Sequence, residues 1–238
     1  MRAWIQRGMG LLAAVGIASV AMAGTYHTVD LSPVANAHFE SFYGGAAGFP
    51  VGDVTLGGVP FSLPGTADDA WTANQGGSGH YQAAIPVFVD GVRQVHMLIN
   101  TQWGMPGPTP YTRLEFTGMY GAYLSRDLYG DDDIRDWLQY NWTNNINGVT
   151  TTEVWSATTT TYLPGTPCRI DKLAIDLPPD FHDEVLTYVV ISDWGGVYPG
   201  DPDPHRAFTG GLTVYVPEPL SAATIAVVAC LAARRRRR

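Results

Sequence analysis

Cysteine is nearly absent from this sequence: Cys168 and Cys230 are the two in 238 residues, and no Cys-x-x-Cys occurs. Zinc ribbons therefore lack their ligands, and a dense disulfide framework is excluded. There is no His-Glu-x-x-His, and the six histidines (27, 38, 80, 96, 182, 205) are dispersed, so a zinc protease has no metal-binding helix. Walker-type phosphate loops are missing as well. Gly76-Gly77-Ser78-Gly79-His80 brings serine and histidine together without the glycine spacing of a nucleophile elbow, and it reads as a surface loop. Positive charge is scarce away from the ends: Gly24 to Val216 holds 7 Lys or Arg against 21 Asp or Glu, a net −14. Such a surface repels phosphate backbones and anionic lipid, which argues against nucleic acid and leaves calcium or neutral polysaccharide compatible. Long apolar runs are also lacking. Neither end reaches the roughly 20 residues that a spanning helix needs.

What the ends do contain is ordered. Arg2 and Arg7 precede an apolar stretch from Met9 to Ala21, and Ala21-Met22-Ala23 supplies the small-x-small pattern cut by signal peptidase. Residues 1–23 are thus expected to be a signal peptide, with the mature chain starting at Gly24. At the other end Val216-Pro217-Glu218-Pro219 should stop a strand, because each proline removes a backbone donor. An uncharged run from Leu220 to Ala233 follows, and Arg234 to Arg238 close the chain. As a helix that run would measure about 21 Å at ~1.5 Å per residue, short of a hydrocarbon core of about 30 Å. It suits a transient transmembrane helix better than a durable anchor, with the arginines held on the cytoplasmic side.

The order Val-Pro-Glu-Pro, short apolar helix, arginine cluster over residues 216–238 resembles the PEP-CTERM sorting signal. The resemblance implies a Gram-negative exporter and an exosortase-type membrane protease as partner. Processing would fall near Pro217, Glu218 and Pro219. The protein would associate transiently with the inner membrane, then reach the cell surface or an exopolysaccharide matrix.

Between the tags, apolar residues alternate repeatedly. Leu173, Ile175 and Leu177 do so, as do Leu212, Val214 and Val216, and Thr112, Leu114 and Phe116. Period two with β-branched and aromatic enrichment predicts strands. Further strands are expected near 26–31, 54–63, 83–89, 92–99, 120–128 and 149–160, separated by Gly and Pro clusters. Val185 to Ile191 is apolar on both faces, which predicts a central strand covered on both sides. Many short strands in residues 24–216 predict an all-β, jelly-roll-type β-sandwich. Asp30-Leu31-Ser32-Pro33, Phe49-Pro50, Gly57-Gly58-Val59-Pro60-Phe61, Leu98-Ile99-Asn100-Thr101 with Trp103-Gly104, Asp133-Ile134-Arg135-Asp136 and Arg169-Ile170-Asp171 resemble galactose-binding-like sandwich modules. That family includes carbohydrate-binding modules beside modules with no assigned ligand.

Candidate chemistry is concentrated in loops. Asp131, Asp132 and Asp133 could offer calcium hard oxygens, although no EF-hand spacing is present; a solvated loop balanced by Arg126 and Arg135 is the alternative. Sugar recognition uses flat aromatic faces beside polar groups. Trp103, Trp142 and Trp194 adjoin turn residues and Trp137 follows the Asp-rich loop, with Asn100 and Arg135 as polar partners. His96 alternates with Gln94 and Leu98 on a strand and reads as a satisfied structural histidine. Cys168 shows no nucleophile pattern. Nothing singles out a pair of carboxylates for glycoside hydrolysis. The sequence thus points to a non-enzymatic exported sandwich associated with carbohydrate. A structural or adhesive protein without a small ligand, and a small glycan hydrolase, remain as alternatives.

Overall fold

The computed structural model describes residues 24–65, 68–73, 81–104, 106–140, 145–194 and 206–218. The signal peptide with Ala21 and Ala23, Trp142, Pro219 and the apolar tail with its arginines lie outside the described residues. The fold is all-β, and its strands are β1 (Gly24–Val29), β2 (Gly52–Leu56), β3 (Val59–Leu63), β4 (Trp71–Thr72), β5 (Tyr81–Asp90), β6 (Gln94–Gln102), β7 (Thr112–Gly118), β8 (Tyr123–Leu128), β9 (Thr151–Thr158), β10 (Pro167–Asp176), β11 (Val185–Asp193) and β12 (Arg206–Pro217). One antiparallel sheet runs β1-β12-β6-β10-β9 with β4 against β12, and a second runs β5-β11-β7-β8.

The two sheets make a sandwich because their inward residues share one core. Val95, Met97, Ile99, Leu173, Ile175, Leu212 and Val214 from the first meet Ile85, Leu114, Phe116, Val189 and Ile191 from the second. A separate core covers the opposite face of the first sheet. There Leu98, Ile170 and Phe208 pack beneath the β2–β3 hairpin and the short 3₁₀ helix Phe39–Tyr43, with Phe49, Phe61 and Trp137. Gly210 permits this close approach: a Cβ there would come within 2.2 Å of the buried Phe39 ring. The first sheet is therefore apolar on both sides, and β6 is buried from Val95 to Thr101.

Two strand expectations need correction. The expected single strand over 54–63 is the β2–β3 hairpin, turned by Gly57 and Gly58 at φ 55° and 79°. Adjacent positive φ values are what a two-residue hairpin loop of the primed type requires. The doubly covered strands are β6 and β12, not β11. Although β11 lies between β5 and β7, its Tyr188 is 39% exposed on the open face while Val189 and Ile191 are buried. Apolar composition on both faces did not separate a covered strand from one whose outer face stays open. At its C-terminal end β12 continues through Pro217, which pairs with Gly24 across the β1–β12 ladder.

His96 is buried, as a structural histidine should be, but it is not satisfied: among the described residues neither ring nitrogen has a hydrogen-bond partner. Its ring sits 5.9 Å from that of Tyr26 on the edge strand. Burial pushes its pKa down to about 4; Lys172 acts in the same direction and Asp176 against it. Above pH ~6.5 both folded and unfolded states are neutral at this residue. As pH falls toward 4 only the unfolded chain takes up the proton, so folding stability is lost, by at most about 3 kcal/mol. His96→Leu is expected to gain on the wild type by up to that amount between pH 7.5 and pH 4, measured by urea unfolding. Equal acid slopes in the two proteins would refute the assignment.

Candidate functional site

The site begins where two strands part. β6 and β10 pair only from Gln94–Leu98 to Lys172–Asp176, after which β10 pairs with β9 alone. The segment 135–139 fills the opening. Thr101 N–H donates to Arg135 O at 2.9 Å and Trp137 N–H to Thr101 O at 3.1 Å on one side. On the other, Arg169 N–H donates to Trp137 O at 2.9 Å and Gln139 N–H to Pro167 O at 2.8 Å. The inserted piece thus acts as a short extra strand.

A buried ionic knot holds this fork open. Arg135 binds Asp171 through two hydrogen bonds, Nε and Nη2 each at 2.7 Å. Asn100 donates to the same carboxylate at 2.9 Å and accepts the Asp171 N–H at 3.0 Å. Arg135 also reaches Glu153 at 2.9 Å. The bidentate geometry and the added donors are what make a buried ion pair tolerable. Asn100 and Arg135, expected to face a sugar, are therefore 1% and 8% exposed and are committed to the knot.

The segment so positioned lines a cleft of about 360 Å³, near the lower end for small-ligand pockets. Phe42, Trp103, Trp137 and Tyr162 line it, Trp137 being 5% exposed, accompanied by Ser41, Gln102, Thr161 and Asp136. Tyr162 is half-exposed and its ring lies 6.1 Å from Trp137. Phe42 stacks on Phe208 at 4.3 Å, which roots it in the core. Trp103 has a left-handed backbone, φ 54°, and the Arg206 guanidinium lies 5.2 Å from its ring. A cation over an indole face helps to hold the ring in place.

Asp136 is the carboxylate among the described residues of this lining, and it is 1% exposed. Its Oδ1 accepts the Leu138 N–H at 2.7 Å and its Oδ2 the Gly104 N–H at 3.3 Å. Burial pushes its pKa up to about 7, opposed by the N–H groups of Leu138, Gly104 and Trp103 and by Arg169. The Asp-Ile-Arg-Asp run carried the signal for this residue; its burial and partners did not show in the sequence.

The other expected residues fall elsewhere. Trp194 is 36% exposed at the end of β11, stacked 5.1 Å from the Arg113 guanidinium and outside the cleft lining. Asp131, Asp132 and Asp133 staple a loop to residues 145–151. Asp131 accepts the Asn145 N–H at 3.0 Å, Asp132 O the Gly148 N–H at 3.1 Å, and Asp133 binds Arg126 at 3.0 Å and the Thr150 hydroxyl at 2.9 Å. Among the described residues no three His, Cys, Asp or Glu side chains form a group able to hold a metal ion. Cys168 is buried and its thiol pKa is raised by desolvation, the opposite of an activated nucleophile.

A scan against protein-family models gives no match, and a search of curated proteins gives none.

Arg135→Met would strip both guanidinium hydrogen bonds from Asp171, 0% exposed, leaving it Asn100 and the charge of Arg169. Urea unfolding at neutral pH should show a loss of about 3–5 kcal/mol. Glu153→Gln, whose carboxylate is 43% exposed, should lose under about 1 kcal/mol. Similar losses for the two variants would mean that the knot is not the fork's main tie.

Proposed function

We propose that this chain is an exported cell-surface or matrix protein whose sandwich, a jelly roll of galactose-binding-like type, binds carbohydrate without catalysis. The observation that carries this reading is the cleft lined by Phe42, Trp103, Trp137 and Tyr162 with the polar side chains of Ser41, Gln102 and Thr161. Aromatic faces stack on the apolar faces of pyranose rings, while hydroxyl and amide groups meet the ring hydroxyls. Adjacency of β1 and β12, the first and last strands, supports the jelly-roll reading. The net −14 between Gly24 and Val216 supports a neutral glycan over a polyanion.

Hydrolysis of a glycosidic bond uses two carboxyl groups about 5–10 Å apart, and the described lining offers Asp136 alone, with both oxygens engaged by backbone N–H groups. A structural or adhesive role is the second reading. Its support is the open face of the β5-β11-β7-β8 sheet, where Phe88 is 58% and Tyr123 55% exposed and Phe88 meets Tyr188 at 5.6 Å.

Destination follows from the ends. Residues 1–23 direct export, and residues 217–238 are cut by an exosortase-type membrane protease after transient inner-membrane association. Gly24, the expected mature start, pairs with Pro217 at the root of the expected sorting tail.

On a glycan array Trp103→Ala should bind at least tenfold more weakly than the wild type, while Trp194→Ala, outside the cleft, should retain binding. If no glycan is retained, or both variants lose binding equally, the cleft is not a sugar site. In an exosortase-bearing host, the mass of the surface-released protein should end near Pro217 to Pro219, and deletion of Arg234 to Arg238 should leave the chain unprocessed. Recovery of the full-length chain at the surface would refute the sorting.

A further inference from the structure

We propose that Asp136 is a positioning residue of the aromatic cleft, its carboxylate tying the two walls together. The Trp103–Gly104 wall donates to it through backbone N–H groups, with Gly104 at 3.3 Å, and the Trp137–Leu138 wall through Leu138 at 2.7 Å. Each wall contributes a tryptophan to the cleft lining. Trp103 needs such a tie. A bulky residue at φ 54° is strained, and it persists only where its surroundings over-determine it. The carboxylate on its backbone and Arg206 on its ring do so together.

The chemistry of the carboxyl makes this tie sensitive to protonation. An ionised carboxylate accepts at both oxygens, whereas the acid presents one O–H that would confront an N–H. Protonation therefore releases one wall. The charged group acting on Asp136 is Arg169, whose guanidinium also donates to the Asp136 carbonyl at 3.2 Å, and Asp136 in turn helps to raise the pKa of the buried Tyr43. Burial sets the proton's release at about pH 7, so the walls are tied above that pH and one is freed below it.

This regulation rests on the cleft being the carbohydrate site, but the tie itself does not. In ¹H–¹⁵N spectra of the full chain, the amides of Trp103, Gly104 and Leu138 should shift together, with one midpoint, as pH is lowered from about 9 to 5. Asp136→Asn offers one acceptor and should abolish the shared midpoint. Amides that stay fixed, or that titrate with separate midpoints, would overturn the proposal; the wild-type titration alone decides this if the variant does not fold. Neutral fragments of β-glucan, galactan and xylan serve as ligand probes. Any fragment held by the wild type at pH 8.5 should bind at least tenfold more weakly at pH 5.5, and equal binding at both would also overturn it. A shared amide midpoint with no fragment bound would support the tie and refute the carbohydrate reading.

Discussion

The bidentate contact between Arg135 and Asp171 is the constraint from which the rest of the site follows. Two strands of one sheet, β6 and β10, part company beyond Leu98 and Lys172, and a parting ladder leaves backbone donors and acceptors to be met. Segment 135–139 meets them on both sides, but only while it is pinned at its root. Asp171, fully buried, supplies the pin by holding Arg135 and Asn100 at once. Next to it in the chain come Asp136, Trp137 and Leu138, and these are the cleft wall. A charge pair deep in the protein thus governs the position of a cleft wall whose own tryptophan, Trp137, is 5% exposed.

Packing supports the same arrangement from the other side. The six-stranded sheet is enclosed by two cores, one shared with the four-stranded sheet and one beneath the β2–β3 hairpin and the Phe39–Tyr43 turn. The second core is rich in aromatic rings, with Tyr43 meeting Trp137 at 5.7 Å and Trp155 at 5.7 Å. Rings of this kind interlock edge to face and resist small displacements. Phe42 reaches the cleft from that core while Phe39 and Tyr43 stay inside it. Proton linkage adds a balance. Below about pH 7 a protonated Asp136 favours the fold, while below about pH 6.5 a neutral His96 disfavours it, so the two slopes oppose one another between pH 4 and 6.5.

Much of the architecture was legible because the strand signal is local. Alternation at Leu173, Ile175 and Leu177, and at Leu212, Val214 and Val216, lies within or at the ends of β10 and β12. Legibility failed where two environments impose the same composition: β6 and β11 are both rich in apolar residues, yet only β6 is enclosed on both faces. It failed again at Asn100 and Arg135, whose types suit a sugar site and a buried knot equally. Trp103 and Trp137 both line one cleft, whereas Trp194, equally beside a turn, lies outside it, because adjacency to a turn does not say where that turn sits.

The sequence by itself determined an all-β chain, an acidic central region and the positions of its loops, because period, charge and turn chemistry are properties of neighbouring residues. Only the tertiary structure decided which loops converge. Phe42, Trp103, Trp137 and Tyr162 are far apart in the chain, and they line one cleft because β6 and β10 diverge and the 3₁₀ turn folds over the same sheet. It also decided the role of Asp136, since burial and the direction of three N–H groups are set by distant backbone. No pattern of adjacent residues can encode either one.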